Sequence, residues 1–308
     1  MTALLSLPLL LPCVLPALAR RALARLAPAV ALWAVTGCAV ALASCSLAAL
    51  GAFVLIGLLK LPLFAAFGEL THPLHTAPAL IVVPAAATSV GALAVCSWTL
   101  VRSVLRQSRA FRAARTEAGS GPAAGDLCVV DSPRPDAYAL PGRPHRIVVT
   151  TAMLRSLDGA EREALFAHER AHNEGGHHYF LAAAELAAHC HPALRPVRET
   201  IRLAVERTAD EAAAASVGDR RLTARAIARA ALAGHAGGIP RPDFAAAATA
   251  GPVPQRVQAL LGTPRAPRAG RAVAALLVAC TALSGVTAAA GLADFHHRVE
   301  VAQGEATP

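Results

Sequence analysis

The chain has 308 residues, of which 55% are hydrophobic and only 16% are charged, against about 25% charged in ordinary soluble domains. Four long stretches, 1–19, 26–59, 76–101 and 272–293, hold no charged residue, which excludes a wholly soluble protein, since a bilayer span needs about 20 apolar residues. The net charge of +9 would suit nucleic acid or an anionic membrane, and the placement of the arginines separates the two.

Taken in chain order, the first three apolar stretches predict transmembrane helices over about 1–19, 28–59 and 77–101. In the first, Pro8, Pro12 and Pro16 recur every four residues, so a kinked helix is expected. It has no basic segment ahead of its apolar run, unlike a secretory signal. Arg20, Arg21 and Arg25 follow it. Arg102, Arg106, Arg109, Arg112 and Arg115 follow the third span as one stripe, and Arg265, Arg268 and Arg271 precede the last apolar stretch. The positive-inside rule puts all three clusters in the cytoplasm, with both termini and Leu61–His75 outside. The stripe suits anionic headgroups. No nucleic-acid recognition motif accompanies it, so a lipid bilayer is the expected partner and direct nucleic-acid contact is not expected.

Residues 103–125 read as a basic juxtamembrane stripe ending in the Gly/Ala/Ser/Pro linker Ala118–Gly125. Short apolar runs at Leu127–Asp131, Ala137–Leu140 and Arg146–Thr151 predict strands, with Pro141–Pro144 as a turn between the last two. Helices follow. The first is opened by an Asp158/Glu161 capping box and closed by Gly175–Gly176. Others are expected over about 177–190, 194–217 and 221–233, with residues 234–254 as a loop and a fourth span at 271–293. The short remainder, 294–308, is expected outside the cell. Cys13, Cys38, Cys45, Cys96 and Cys280 lie in apolar spans and Cys128 and Cys190 in the domain expected in the reducing cytoplasm, so no disulfide framework is expected, and the absence of a CxxC pair gives no support to a thiolate metal site.

The chemistry lies in His168-Glu169-Arg170-Ala171-His172. On a helix, residues four apart share one face, so the two imidazoles can grip one Zn²⁺ while Glu169 acts as general base on a metal-bound water. A third protein ligand is required. Glu174, His177, His178, Glu185, His189, His191, Glu206 and Asp210 are the candidates. His178 stands six residues after His172, with Gly175 between, which fits a metzincin-like spacing. Glu206 and Asp210 share one face of a later helix, so Glu206 can ligate while Asp210 holds a histidine ring by its other nitrogen. Glu206 is favoured over His178. The run Arg146–Thr151 is expected to pair with an extended substrate as an edge strand. His189, His191, Arg220 and Arg221 are the candidate donors to an oxyanion.

The runs ALPGRPHRIVVTTAMLRSLD, EREALFAHERAHNEGGHH and VERTADEAAAASVGD, with the weaker RVQALL, resemble the membrane metallopeptidases of the beta-lactam-sensing BlaR/MecR-type receptors, which are gluzincins. HtpX-type and CAAX-prenyl endopeptidases share the two short motifs. The resemblance implies one zinc ion per chain on His168, His172 and Glu206, with Glu169 as base and Asp210 behind the ligands. It implies a mainly α polytopic membrane protein with an α+β peptidase domain, 126–270, inserted between spans three and four. The receptors carry a penicillin-binding sensor after the last span, and only Asp294–Pro308 follows here, so that mode of sensing is not expected. A protein or peptide substrate, such as a transcriptional repressor, is expected. Clearance of damaged membrane proteins and a non-catalytic zinc-containing receptor are the rival readings.

Overall fold

The computed structural model describes residues 2–68, 72, 78–120, 123–234, 252–262 and 270–304. Residues 235–251 of the expected loop, and 69–71 and 73–75 of Leu61–His75, lie outside the described residues; the loop's expected last residues, from Val253, already belong to a helix.

The amino-terminal stretch forms helices α1 (Thr2–Leu10) and α2 (Leu15–Arg25), joined by a short 3₁₀ turn and bent by 44°. The bend falls where the proline repeat removes backbone donors: Pro8 lies inside α1 and Pro12 in the turn. Helix α3 (Pro28–Leu58) follows, then a short α4 (Pro62–Phe67) that the sequence did not suggest, then the 42-residue α5 (Ala79–Ser120). The last helix of the chain is α12 (Arg271–Gln303). Three helices, α3, α5 and α12, are long and apolar enough to cross a membrane, and the bent α1–α2 pair would make a fourth.

Two expectations about boundaries are corrected. Helix α5 does not stop at the basic stripe but continues through Ala118 into the expected linker. Ala114 and Ala118 are buried there against Cys128, Tyr138, Leu140 and Val148, and that burial outweighs the poor helix propensity of the Gly/Ser segment. Likewise α12 does not end near Ala293 but runs unbroken to Gln303, closed by Gly304 in the left-handed conformation.

Between α5 and α12 stands a small mixed sheet: β1 (Ala123–Ala124), β2 (Leu127–Val130), β3 (Ala137–Leu140) and β4 (Arg146–Thr150), in the order β1-β2-β4-β3. Strand β4 is parallel to β2 and antiparallel to β3, with Val148 opposite Cys128 and Tyr138. The expected substrate-binding edge at Arg146–Thr151 is therefore wrong. Its β-branched run is buried on both faces and has neighbours on both sides, as suits the centre of a sheet. One face packs on the end of α5; the other, through Ala137 and Val149, packs on Met153, Leu165 and Phe166.

Helices α6 (Thr151–Ser156), α7 (Gly159–Glu174), α8 (His177–Cys190), α9 (Arg195–Val217), α10 (Arg220–Gly234) and α11 (Val253–Leu261) complete the fold. Helices α8 and α9 share one apolar core with the first helices of the chain. Phe180, Leu181, Ala184, Val197 and Ile201 are buried with Leu15, Leu18, Leu32, Val35 and Leu42. Trp33 meets Phe180 edge-on, with ring centroids 4.8 Å apart.

Candidate metal centre

Helix α7 starts at Asp158, whose side chain accepts from the Glu161 N–H at 2.9 Å while Glu161 accepts from the Asp158 N–H at 3.0 Å. This reciprocal cap fixes the phase of the helix that carries His168, Glu169 and His172, all three buried. At the far end Asn173 donates to the Arg146 carbonyl, tying α7 to β4 at 3.2 Å. The chain then reverses through Gly175 and Gly176. Gly176 has φ of +59°, a conformation that disfavours any side chain. A Cβ on Gly175 would stand 2.6 Å from His177 Nε2, so the bare backbone there lets His177 fold back onto α7.

Helix α9 lies against α7 and supplies Glu206 and Asp210, one turn apart and both buried. Ligand atoms of His168, His172 and Glu206 all lie within 4.8 Å of one another. His168 Nε2 is 3.0 Å from His172 Nε2 and 3.5 Å from Glu206 Oε2, and His172 Nε2 is 3.8 Å from Glu206 Oε1. Donors around a tetrahedral zinc with bonds of about 2.1 Å stand about 3.4 Å apart, so the three atoms fit such an ion. Asp210 Oδ1 is 3.1 Å from His168 Nδ1, and His177 Nδ1 is 2.8 Å from His172 Nδ1. Each imidazole is thus held by its outer nitrogen and turns Nε2 to the common point. Two ring nitrogens 3.0 Å apart need either a hydrogen donated from one ring to the other or a metal ion between them.

The electrostatics agree. Burial opposes charge on His168, but Asp210 and Glu206 outweigh it and raise its pKa to about 9. On His172, burial and the neighbouring charge of His168 act together and hold the pKa well below the ordinary imidazole value. Burial likewise brings His177 down to about 4. Burial would raise the Asp210 carboxyl, yet Arg256 and His168 lower it.

The other candidates lie elsewhere. His178 is half-buried beside Tyr179 and is not in the ligand group. Glu185 is engaged by Arg198 at 2.9 Å. The four expected oxyanion donors do not reach the site, which corrects that expectation. His189 sits 3.3 Å from Glu185, His191 bonds the Leu9 carbonyl, Arg220 pairs with Glu211, and Arg221 is exposed. The cation at the centre is Arg256 of α11, fully buried, whose Nη1 is 3.0 Å from Glu206 Oε2. It also binds Asp210 through Nε at 2.9 Å and Nη2 at 2.7 Å. The sequence reading passed over it because an arginine in a short amphipathic segment has no metal chemistry of its own; the only signal was its place in the RVQALL run. His177, a candidate ligand by sequence, stands instead behind one, at the outer nitrogen of His172.

Residues 106–191 match the model of peptidase family M48. The match covers both histidines and Glu169 and ends before Glu206, Asp210 and Arg256. It supports a metal-dependent peptidase, and the His168/His172/Glu206 cluster is compatible with the zinc such peptidases typically use. No curated protein and no solved structure gives a significant match to the chain.

Proposed function

We propose that the chain is a membrane-embedded, zinc-dependent endopeptidase of the gluzincin kind that cleaves a cytoplasmic protein. The observation that carries this reading is the convergence of His168, His172 and Glu206 beside a buried glutamate, Glu169. Three buried carboxylates, Glu169, Glu206 and Asp210, stand against one buried guanidinium, Arg256. With His168 neutral, as a metal ligand must be, the excess of two negative charges suits one divalent cation; without the metal, a protonated His168 takes up one of them.

When bound, the metal ion supplies Lewis acidity, lowering the pKa of a water molecule and polarising the scissile carbonyl. The chain's own residues do the rest. Asp210 and His177 orient the two imidazoles. Glu169, one residue from His168 and on the adjoining surface of α7, takes a proton from the attacking water and passes it to the leaving amine.

The arginine clusters support a cytoplasmic site. Arg207, next to Glu206, donates to the Leu23 carbonyl within the Arg20–Arg25 segment, and Leu26 packs close to Gly270 beside Arg271. The Arg20–Arg25 segment and Arg271 therefore lie at the metal-centre end of the helical bundle, and by the positive-inside rule that end belongs in the cytoplasm. Proteolysis of a repressor as a signalling step is the first reading of the biological role. The second, removal of membrane proteins, is favoured by the core that α8 and α9 share with α2 and α3. Trapping of bound targets by the purified Glu169→Gln protein separates the two.

The test of the chemistry is the same variant. Glu169→Gln should keep its metal and its fold, because the carboxylate is not a ligand, and lose about 10²–10⁴-fold in cleavage of a protein substrate. Cleavage at near the parent rate would overturn the mechanism.

A further inference from the structure

Arg256 is the largest fully buried side chain of the described residues, and it ends among the acids that surround the proposed ligands. A guanidinium there has two opposite meanings. As a rival cation it would compete with the metal ion, whereas as a brace it would prepare the site for one.

The geometry points to a brace, and we propose that Arg256 is a positioning residue that sets the metal affinity and coordination geometry of the centre. The inference rests on the metallopeptidase reading above. Its fork grips Asp210 through Nε on Oδ2 and Nη2 on Oδ1, and Oδ1 is the same atom that meets His168 Nδ1. Its third nitrogen, Nη1, ion-pairs with Glu206 Oε2 at 3.0 Å, and Nη2 also comes within 3.5 Å of His168 Nε2, the one contact a rival cation would share. One planar group therefore fixes the ring of one ligand, through Asp210, and the carboxylate of another. Carboxylates one helical turn apart would otherwise repel and splay, since neither has much solvent to screen it. A lysine offers a single point of charge and cannot span both acids in this way.

The brace is itself held. Leu260 is buried against Ala214, Ala224 and Ile227, and Arg220 donates to the Leu260 and Ala259 carbonyls at the end of α11. Arg220 is in turn paired with Glu211 of α9, the residue after Asp210. Helix α11 is thus locked to the helix that carries Glu206. This is what a fixed strut requires and a displaceable counter-ion does not.

The experiment uses the full chain in detergent with cobalt(II) as the probe, because its visible absorption reports coordination geometry. Affinity is read by competition with a chromophoric chelator, and stability is read separately on metal-free protein. Loss of outer partners typically weakens metal binding about 10–100-fold. Arg256→Lys and Arg256→Gln should both bind cobalt more weakly by that order and shift its visible bands, with Lys no better than partly restoring Gln. Gln255→Ala, on the exposed side of α11, should match the parent. If either variant fails to fold, the other decides, and metal-free unfolding shows which one has. Tighter binding in Arg256→Gln would identify a rival cation and overturn the proposal. So would unchanged bands and affinity with only a lower metal-free midpoint, the mark of a purely structural arginine. A parent that takes up no cobalt would remove the metallopeptidase reading, and the proposal with it.

Discussion

Replacing Glu161 by Gln tests whether the start of α7 is held by charge and not only by shape. The carboxylate is fully buried and accepts from the Asp158 N–H, from Arg225 Nε at 3.0 Å and from Arg229 Nη1 at 2.9 and 2.8 Å. A glutamine of the same outline keeps one oxygen for the cap but turns an NH₂ group towards the arginines. The arginine side chains are 59% and 50% exposed, so each pair contributes only about 0.5–1 kcal/mol after screening. A buried amide facing donors adds about 1–3 kcal/mol, so with two ion pairs the loss is about 2–5 kcal/mol. At about 2–4 °C per kcal/mol, the unfolding midpoint in detergent should fall by roughly 4–20 °C. Arg225→Gln alone should cost at most about 1 kcal/mol. The pH dependence follows from the direction of the shift. Burial would raise the Glu161 carboxyl, but the Asp158 N–H, Arg229 and Arg225 together lower it below its ordinary 4.5. A depressed carboxylate contributes fully above its unfolded value and loses that contribution as pH falls through its folded one. The gap between parent and variant should therefore be constant near neutrality and close only below about pH 4.5. An Glu161→Gln protein no less stable than Arg225→Gln, or a gap that persists in acid, would refute this account.

Metal content should separate the ligand candidates: Glu206→Gln should lose its zinc, whereas His178→Ala should retain one ion per chain by mass spectrometry, and the reverse result would favour the metzincin-like spacing. Gly176→Ala places a side chain at φ of +59° and should cost about 1–2 kcal/mol in thermal unfolding, while Gly159→Ala, which meets nothing within 4 Å, should be near neutral. A cysteine at exposed Arg221 in a cysteine-free background should react with an impermeant thiol reagent only in inside-out vesicles; labelling of intact cells would place the metal centre outside.

Local signals in the chain were strong where one element carries them whole. The His168/His172 spacing, the Asp158–Glu161 cap, the Gly175–Gly176 reversal and the facing of Glu206 and Asp210 need only helical periodicity. What the sequence concealed depends on which elements meet. Nothing in Arg146–Thr151 says whether a β-branched run has one neighbour or two, so its central place in the sheet was missed. Ala114 and Ala118 continue a helix through a glycine-rich segment only because β2, β3 and β4 lie over them. Arg256 gains meaning only once Asp210 and Glu206 are known to face it.

The core shared by α8 and α9 with the amino-terminal helices also sets where the chain can be cut. Excising 126–270 would strip Phe180, Leu181, Val197 and Ile201 of their cover and present a continuous oily surface to water. Such a fragment should aggregate. Glu206 lies only five residues past Ile201 on the same helix, so disorder at that bare surface would reach the ligands within about a turn and a half. The amino-terminal helices are in this sense part of the interior of the fold that holds the proposed metal centre, and a fragment that keeps that centre ordered has to include them.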